Sequence, residues 1–268
     1  MMKTAQINDA SATKRPRVSD PLVVASVEKA FRILSVFGKG QDKLTLSQIA
    51  EISGFDLSSA QRFTHTLLKL GYLQKEQETR RFSLTLKNLD LASNFLGGHR
   101  LINLAMPYLM HLSKETEETV NLTLLDGQEI IFVSRFLSRH MLNTDVVIGT
   151  RMPAYCTAPG IAILSRLDEK VAEACMIVSH PRAITEHTTW RLPDLMEKIR
   201  ISKKQGFATQ FEEFYHGDAS IAAPVLDIKG YPLAAVNVAV SLSRYNRDDI
   251  VSRFAPLVVA AAHAISKA

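Results

Sequence analysis

An α+β fold in two parts is predicted: a small winged helix-turn-helix, then a linker helix, then a larger α/β domain that continues to the end of the chain. Three observations predict it. Helical periodicity fills residues 27–70 and gives way to a charged hairpin pattern over 72–84. Beyond residue 99, strand-like and helix-like runs mingle, as in a layered fold with one curved sheet. The positive charge is also confined to one end: residues 1–90 hold 14 Lys and Arg against 9 Asp and Glu, whereas residues 91–268 hold 18 against 18. A basic module joined to a neutral one is the pattern expected when only one end meets a polyanion.

Residues 1–21 mix small and polar residues with Lys14, Arg15 and Arg17 and read as a basic disordered arm. The winged domain is expected over 22–85. Its first helix covers 27–37, with Val27, Ala30, Phe31, Leu34 and Phe37 at helical spacing and Gly38 and Gly40 as the stop. A second helix covers 45–53. Thr45 and Gln48 have capping-box spacing, Leu46, Ile49, Ala50 and Ile52 supply its inner side, and Gly54 suits the left-handed turn that follows. The third covers 56–70, with Asp56 as N-cap and Ala60, Phe63, Thr64, Leu67 and Leu70 as inner stripe. Two short strands at 72–75 and 80–84 around a turn at 76–79 make the wing. A linker helix occupies 86–98, closed by Gly97 and Gly98.

The second domain is expected over 99–268. A helix at 101–114 precedes a hairpin of 119–125 and 129–136 turning at Asp126-Gly127. A further strand is read at 144–148. Helices follow at 159–166, 168–178 and 192–205, strands at 207–211, 219–227 and 232–241, and a closing helix at 246–266. Apolar residues at 46% and charged residues at 22% suit an ordinary globular core. No apolar run approaches the roughly 18 residues of a membrane span, and the N-terminal stretch lacks the apolar region of a secretory signal. Two cysteines, Cys156 and Cys175, suggest no disulfide framework, so a cytoplasmic setting is expected.

The chemistry expected of the first part rests on the helix at 56–70. At about 100° per residue, Ser58, Arg62, His65 and Lys69 share its outward face, flanked by Gln61 and Thr66. A helix that enters the major groove of double-stranded DNA needs donors aimed outward. Ser58 and Ser59 suit phosphates or base edges, Gln61 adenine, and Arg62 guanine or phosphate. His65 and Lys69 lie where backbone contact is expected, and Arg80 and Arg81 would supply the wing contacts. The alternative for each residue taken singly is a solvated polar face.

The stretch LTLSQIAEISGFDLSSAQRFTHTLLKLGYLQ resembles the DNA-binding half of the IclR family. Two later segments agree independently. VVIGTRMPAYCTAPGIAILS resembles the family's loop and helix beside its ligand pocket, and GDASIAAPVLDIKGYPLAAVNVAVS resembles its late strand pair. The resemblance covers nearly everything after residue 22. It implies a GAF-like effector-binding domain, a homodimer or dimer of dimers on operator DNA, a small metabolic acid or aromatic compound as effector, possible contact with RNA polymerase, and no catalysis, cofactor or metal. Positions matching the family's ligand-lining sites are Met141, Thr144, Met152, Ala158, Pro159, Gln210, Ser220, Asn237 and Ala239. Some members carry an acid at the place of Gln210, a cysteine at Ser220, and serines at Asn237 and Ala239, so this chain departs at all four. Pro159 replaces a small residue and removes one backbone donor. GTRMPAYCT is most similar to the subgroup that governs aromatic catabolism through the β-ketoadipate pathway, including protocatechuate and p-hydroxybenzoate regulators. There Arg151, with Tyr155 and Thr157, would recognise a carboxylate or phenol hydroxyl; the other reading leaves Arg151 exposed and Tyr155 as core.

Two rival readings come from other classes. Cys156, with His65, His140, His187 or His216 as base, would suit a cysteine-dependent enzyme, yet the chain carries no family-type cysteine signature, P-loop, G-x-G-x-x-G, H-E-x-x-H or C-x-x-C. A ligand-binding adaptor whose winged helix meets protein is the other. The local basic excess and Arg62 argue against it.

Overall fold

The structure is a computed structural model describing residues 22–38, 40–140 and 146–268. The chain separates into two compact units, Met1–Asn94 and Phe95–Ala268.

In the first unit, α1 spans Ala25–Leu34, α2 Leu46–Ser53 and α3 Leu57–Lys69. α2 starts on a reciprocal cap: the Thr45 N–H donates to Gln48 Oε1 at 2.9 Å, and the Gln48 N–H donates to Thr45 Oγ1 at 3.3 Å. It ends on Gly54 at φ 70°, a conformation that glycine adopts without Cβ strain. β1 (Leu73–Lys75) and β2 (Phe82–Leu84) pair antiparallel, Leu73 opposite Leu84. Leu44 extends this ribbon through two backbone hydrogen bonds with Phe82, of 3.0 and 2.7 Å. Ile33, Val36, Leu44, Ile49, Leu67, Leu73 and Phe82 form the core. Four expected inner residues lie outward instead: Val27, Phe31, Ile52 and Leu70 are 52%, 56%, 45% and 53% exposed. The reason is geometric. α1 turns Ala30 and Ile33 to the core, Phe37 beyond its end packs there too, and a unit this small has no second layer to cover the adjacent stripe of Val24, Val27 and Phe31. The linker helix α4 is Asn88–Gly98 and carries the two glycines inside it.

The second unit is built on a six-stranded antiparallel sheet. Its strands are β3 (Thr119–Asp126), β4 (Glu129–Phe136), β5 (Arg151–Pro153), β6 (Ala208–Phe211), β7 (Asp218–Leu226) and β8 (Pro232–Ser241), in the spatial order β5-β4-β3-β8-β7-β6. The hairpin at Asp126-Gly127 forms with Gly127 at φ 62°. Residues 146–148 carry no strand; the strand of this region is β5, a few residues later, and 144 and 145 lie outside the described residues.

Both faces of this sheet are covered. On one lie α5 (Arg100–Thr116) and α9 (Arg247–Lys267), whose Leu109, Leu112, Phe254 and Val258 pack with Val120, Leu122, Ile221, Val236, Val238 and Val240. α9 is long and apolar enough to cross a membrane by length and composition, but here Ile250, Phe254, Val258, Ala262 and Ile265 are buried against the sheet. On the other face lie α6 (Ala158–Leu164), α7 (Glu169–Val178) and α8 (Leu192–Gln205). Strand side chains alternate. Hence Thr119, Asn121 and Thr123 point away from Val120 and Leu122, and all five are buried. A buried sheet face that carries polar side chains needs internal partners for them.

Candidate functional site

Two regions collect the residues singled out in the sequence, one in each unit. In the first, α3 is anchored at its start by Asp56, whose Oδ1 accepts from the Ser59 N–H at 2.8 Å and whose Oδ2 accepts from the Ser59 hydroxyl at 2.7 Å. These two bonds hold the Asp56 carboxyl below its usual range. They also correct the expectation for Ser59: its hydroxyl proton is committed to the cap. Ser58, Gln61, Arg62, His65 and Lys69 are exposed, and their side chains make no hydrogen bond or ion pair among the described residues. Ala60, Thr64 and Leu67 are buried beneath them.

The wing residues divide. Arg80 is exposed at the hairpin turn with φ 58°. Arg81 is half-buried, and its Nη1 donates to the Lys43 carbonyl at 3.0 Å, so it ties the wing to the segment before α2. Lys43 in turn pairs with Glu76 at 3.2 Å. Among the expected wing contacts, Arg80 is the outward one.

In the second unit, a cavity of about 60 Å³ opens on the polar face of the sheet. Met152, Ala158, Pro159, Gln210, Ser220, Asn237 and Ala239 all line it, although they come from five separate elements. Met141 and Thr144 lie outside the described residues. Arg151 and Tyr155 are not in the lining, which corrects the carboxylate role expected of them. β5 pairs with β4 next to the Asp126 turn, so Arg151 reaches Asp126 Oδ2 at 2.6 Å and Glu129 Oε2 at 3.2 Å, and stays 46% exposed. Tyr155 is buried, and its hydroxyl donates to the Arg182 carbonyl at 3.0 Å.

A polar ladder crosses the cavity floor. Arg135 Nη1 donates to Asn121 Oδ1 at 3.0 Å, Asn121 Nδ2 to Asn237 Oδ1 at 3.3 Å, and Asn237 Nδ2 to Ser220 Oγ at 2.9 Å. The strand registers produce it: Asn121 sits opposite Arg135 on one side and Asn237 on the other. Gln210 lies next across from Ser220, and with its side-chain amide turned over its oxygen accepts from the Glu213 N–H at 2.7 Å and the Glu212 N–H at 3.2 Å. Ile130, Phe132, Val146, Phe214 and Tyr215 supply apolar and aromatic wall. The α6 end is set by Gly160, where a Cβ would come within 2.2 Å of the Ala154 carbonyl oxygen. Pro159 removes a donor that the first helical turn leaves unpaired in any case, and the Gly160 N–H is capped by Thr157 Oγ1 at 3.3 Å.

Arg135, Asn121 and Asp218 are lining residues that sequence reasoning missed. Their signal was a polar or charged residue within or at the end of an otherwise apolar strand, in EIIFVSRF, TVNLTLLD and DASIAAPVL. Burial pushes the Asp218 carboxyl up to about 7, against the pull of nearby Arg135. Cys156 also lines the cavity, but burial first and Glu213 second push its thiol up to about 12. A thiol that holds its proton so firmly is no nucleophile at neutral pH. Of the histidines considered for it, His140 lines the cavity, whereas His187 and His216 lie beside Glu186 at 3.8 and 3.9 Å.

Residues 26–77 match the family profile described as the IclR helix-turn-helix domain, and residues 93–267 match the one described as Bacterial transcriptional regulator IclR C-terminal. The chain is 30% identical over 255 residues to the Pca regulon regulatory protein of Pseudomonas putida, covering 94% of this chain and 87% of that one. It is 28% identical over 240 residues to the p-hydroxybenzoate hydroxylase transcriptional activator of Acinetobacter baylyi, covering 88% of each. An IclR homolog from Microbacterium hydrocarbonoxydans, solved in complex with 4-hydroxybenzoate, superposes with a TM-score of 0.76 at 18% identity, covering 90% of this chain and 98% of that one.

Proposed function

We propose, from the premise that this chain belongs to the IclR family of DNA-binding transcriptional regulators, that it controls an operon of aromatic-acid catabolism by sensing a small aromatic acid. The relatives are regulators rather than enzymes, and the protonated Cys156 thiol agrees with that. The observation that carries the reading is the cavity on the buried polar face of the sheet: an aromatic and apolar wall over a row of hydrogen-bonding groups that includes Arg135. Such a lining suits a flat ring bearing a carboxylate and a hydroxyl.

In this reading Ser58, Gln61, Arg62, His65, Lys69 and Arg80 face operator DNA, with Arg62 and Gln61 set to read base edges. Ser59 and Arg81 position the helix and the wing that present them. The exposed apolar stripe of Val24 ahead of α1 and Val27 and Phe31 on it, with Leu89 and Leu91 on α4, supports assembly of two copies through the first unit. Two copies would read two half-sites. α4 is the covalent bridge between the units, and effector binding would act through it on how the two reading heads are spaced. The protein would work in the cytoplasm, where its operator is.

The test is fluorescence-polarisation binding to the upstream DNA of its own operon over a salt series, with and without protocatechuate and 4-hydroxybenzoate. Specific, salt-sensitive binding that shifts with one acid is expected. Specific binding that neither acid shifts would refute the aromatic effector and leave the regulator.

A further inference from the structure

One row of the sheet presents two hydroxyls to the cavity as proton donors. Thr119 on β3 and Ser220 on β7 both stand directly opposite Ala239 on β8, and all three line the cavity. Thr119 and Ser220 are buried. Thr119 Oγ1 accepts from the Ser138 N–H at 3.1 Å, and a backbone amide can only donate. Ser220 Oγ is fixed in the same sense. The Arg135 guanidinium can only donate, so Asn121 turns its oxygen towards it, and the two asparagines pass that direction on to Ser220. Each hydroxyl oxygen has therefore accepted a bond, and neither hydroxyl proton has an acceptor among the described residues. Asp218 lies on the same face of β7, two residues before Ser220. Its Oδ1 is buried and has no hydrogen-bond partner among the described residues. Ser241, opposite it on β8, has its hydroxyl paired with that of Ser243. Unmet polar groups are rare inside folded proteins, and three around one cavity state what its occupant has to supply.

Resting on the reading that this cavity holds the effector, we propose that it is built for a hydroxy acid. The carboxylate sits over Ala239 and accepts the protons of Thr119 and Ser220, and the distal hydroxyl of the same molecule donates to Asp218 Oδ1. The occupant thus brings an acceptor to the two donors and a donor to the one acceptor. A hydroxyl proton on a carboxylate oxygen makes a short, charge-assisted bond.

The spacing of the sheet suits this arrangement. Neighbouring strands lie about 4.8 Å apart, so positions 119 and 220 flank the seat at a separation of about 10 Å. The short methyl of Ala239 leaves the seat open between them, and each carboxylate oxygen meets one hydroxyl. Positions 218 and 220 are about 7 Å apart along β7. A hydroxyl on the opposite side of a benzene ring from the carboxylate has that reach. One placed beside the carboxylate bonds to it instead and cannot reach Asp218. Phe132, Phe214 and Tyr215 wall the space in which the ring would lie. A ring acid without a hydroxyl would bury Asp218 Oδ1 with its bond still unmade, which costs affinity.

The experiment is isothermal titration of the full chain with 4-hydroxybenzoate, benzoate, 2-hydroxybenzoate, 4-methylphenol and 5-hydroxypentanoate. The unaltered protein should bind 4-hydroxybenzoate about tenfold or more tightly than benzoate or 2-hydroxybenzoate. Asp218→Ala should bring 4-hydroxybenzoate and benzoate to about equal affinity, a ratio in which any general damage to the cavity cancels. Thr119→Val and Ser220→Ala should each weaken 4-hydroxybenzoate about tenfold and leave 4-methylphenol, which has no carboxylate, about unchanged. Thr119→Ser keeps the proton donor and should retain the affinity that Thr119→Val loses. Benzoate bound as tightly as 4-hydroxybenzoate by the unaltered protein would overturn the proposal, as would equal losses for 4-hydroxybenzoate and 4-methylphenol in the hydroxyl variants. If 5-hydroxypentanoate binds with these losses and none of the ring acids binds, the grip on a hydroxy acid stands and the aromatic effector falls. If a ring acid binds and none of the three positions affects it, the reverse holds. If no acid binds, both fall.

Discussion

Arg62, at the centre of the outward face of α3, has its side chain unengaged within the described fold. An arginine bidentate to a base contributes about 1–3 kcal/mol of discrimination, so Arg62→Ala should weaken operator binding by about tenfold or more while leaving the thermal midpoint unchanged. Equal loss of stability and affinity would instead mark it as structural. Arg151 makes the opposite case. Its pairs with Asp126 and Glu129 are surface pairs, worth at most about 1 kcal/mol together at its degree of exposure. Arg151→Ala should therefore leave effector affinity unchanged in a binding titration, and a large loss would return the residue to the site. Asp218 makes a pH prediction for stability. Its folded pKa stands above the unfolded value of 3.8, so the folded state holds the extra proton between about pH 4 and 7. Stability from this group is present at low pH and is lost as pH rises through about 7. Without effector, Asp218→Asn should therefore be more stable than the parent by up to a few kcal/mol at about pH 8 and equal to it near pH 4, by denaturant unfolding.

The elements differ in how they are determined. α2 and α3 carry their own start signals, Thr45 with Gln48 and Asp56 with Ser59, and begin where those signals place them. Thr45→Ala should lower the stability of the first unit by about 1 kcal/mol, since it opens the reciprocal cap. α6 is held by contact instead. At Gly160 an added Cβ would meet the backbone of Ala154 at 2.2 to 2.7 Å, and backbone cannot move aside as a side-chain tip can. Gly160→Ala should destabilise the second unit by about 3 kcal/mol or more and open the cavity wall, read as a lowered unfolding midpoint together with lost effector affinity. An unchanged midpoint would show that the 154–160 turn is slack. The strand expected at 144–148 missed for a related reason. β5 is three residues long and exists because Glu129, Ile130 and Ile131 offer it an edge, which no local pattern announces.

At the scale of the whole molecule, the two units carry different chemistry in one chain. The basic excess lies with the unit that carries α3, and the balanced composition lies with the unit that carries the cavity. DNA affinity should fall steeply with salt, while effector affinity, set inside a cavity, should change little across the same range. Saturating effector should also raise the unfolding midpoint of the second unit, by about 2.7 kcal/mol of stabilisation at a hundredfold excess over Kd. Two glycines placed in α4 should leave both affinities in place and break the response of one to the other, because α4 is the helix that runs through the boundary between the units.

The sequence alone determined the order and kind of nearly every described element, the helix caps of the first unit, the face of α3 that points outward, and seven residues of the cavity lining. All of these follow from short-range periodicity, capping chemistry and motif spelling. Tertiary structure decided the rest. It turned Val27 and Phe31 outward, because burial depends on whether a partner layer exists. It removed Arg151 and Tyr155 from the cavity, because strand pairing beside the Asp126 turn gave Arg151 two acids and packing gave Tyr155 a carbonyl. It brought Arg135, Asn121, Asn237, Ser220 and Asp218 together from positions up to 116 residues apart, by setting four strands in register. A strand states which of its residues share a face; only the sheet states which strands lie side by side, and the site is made of that adjacency.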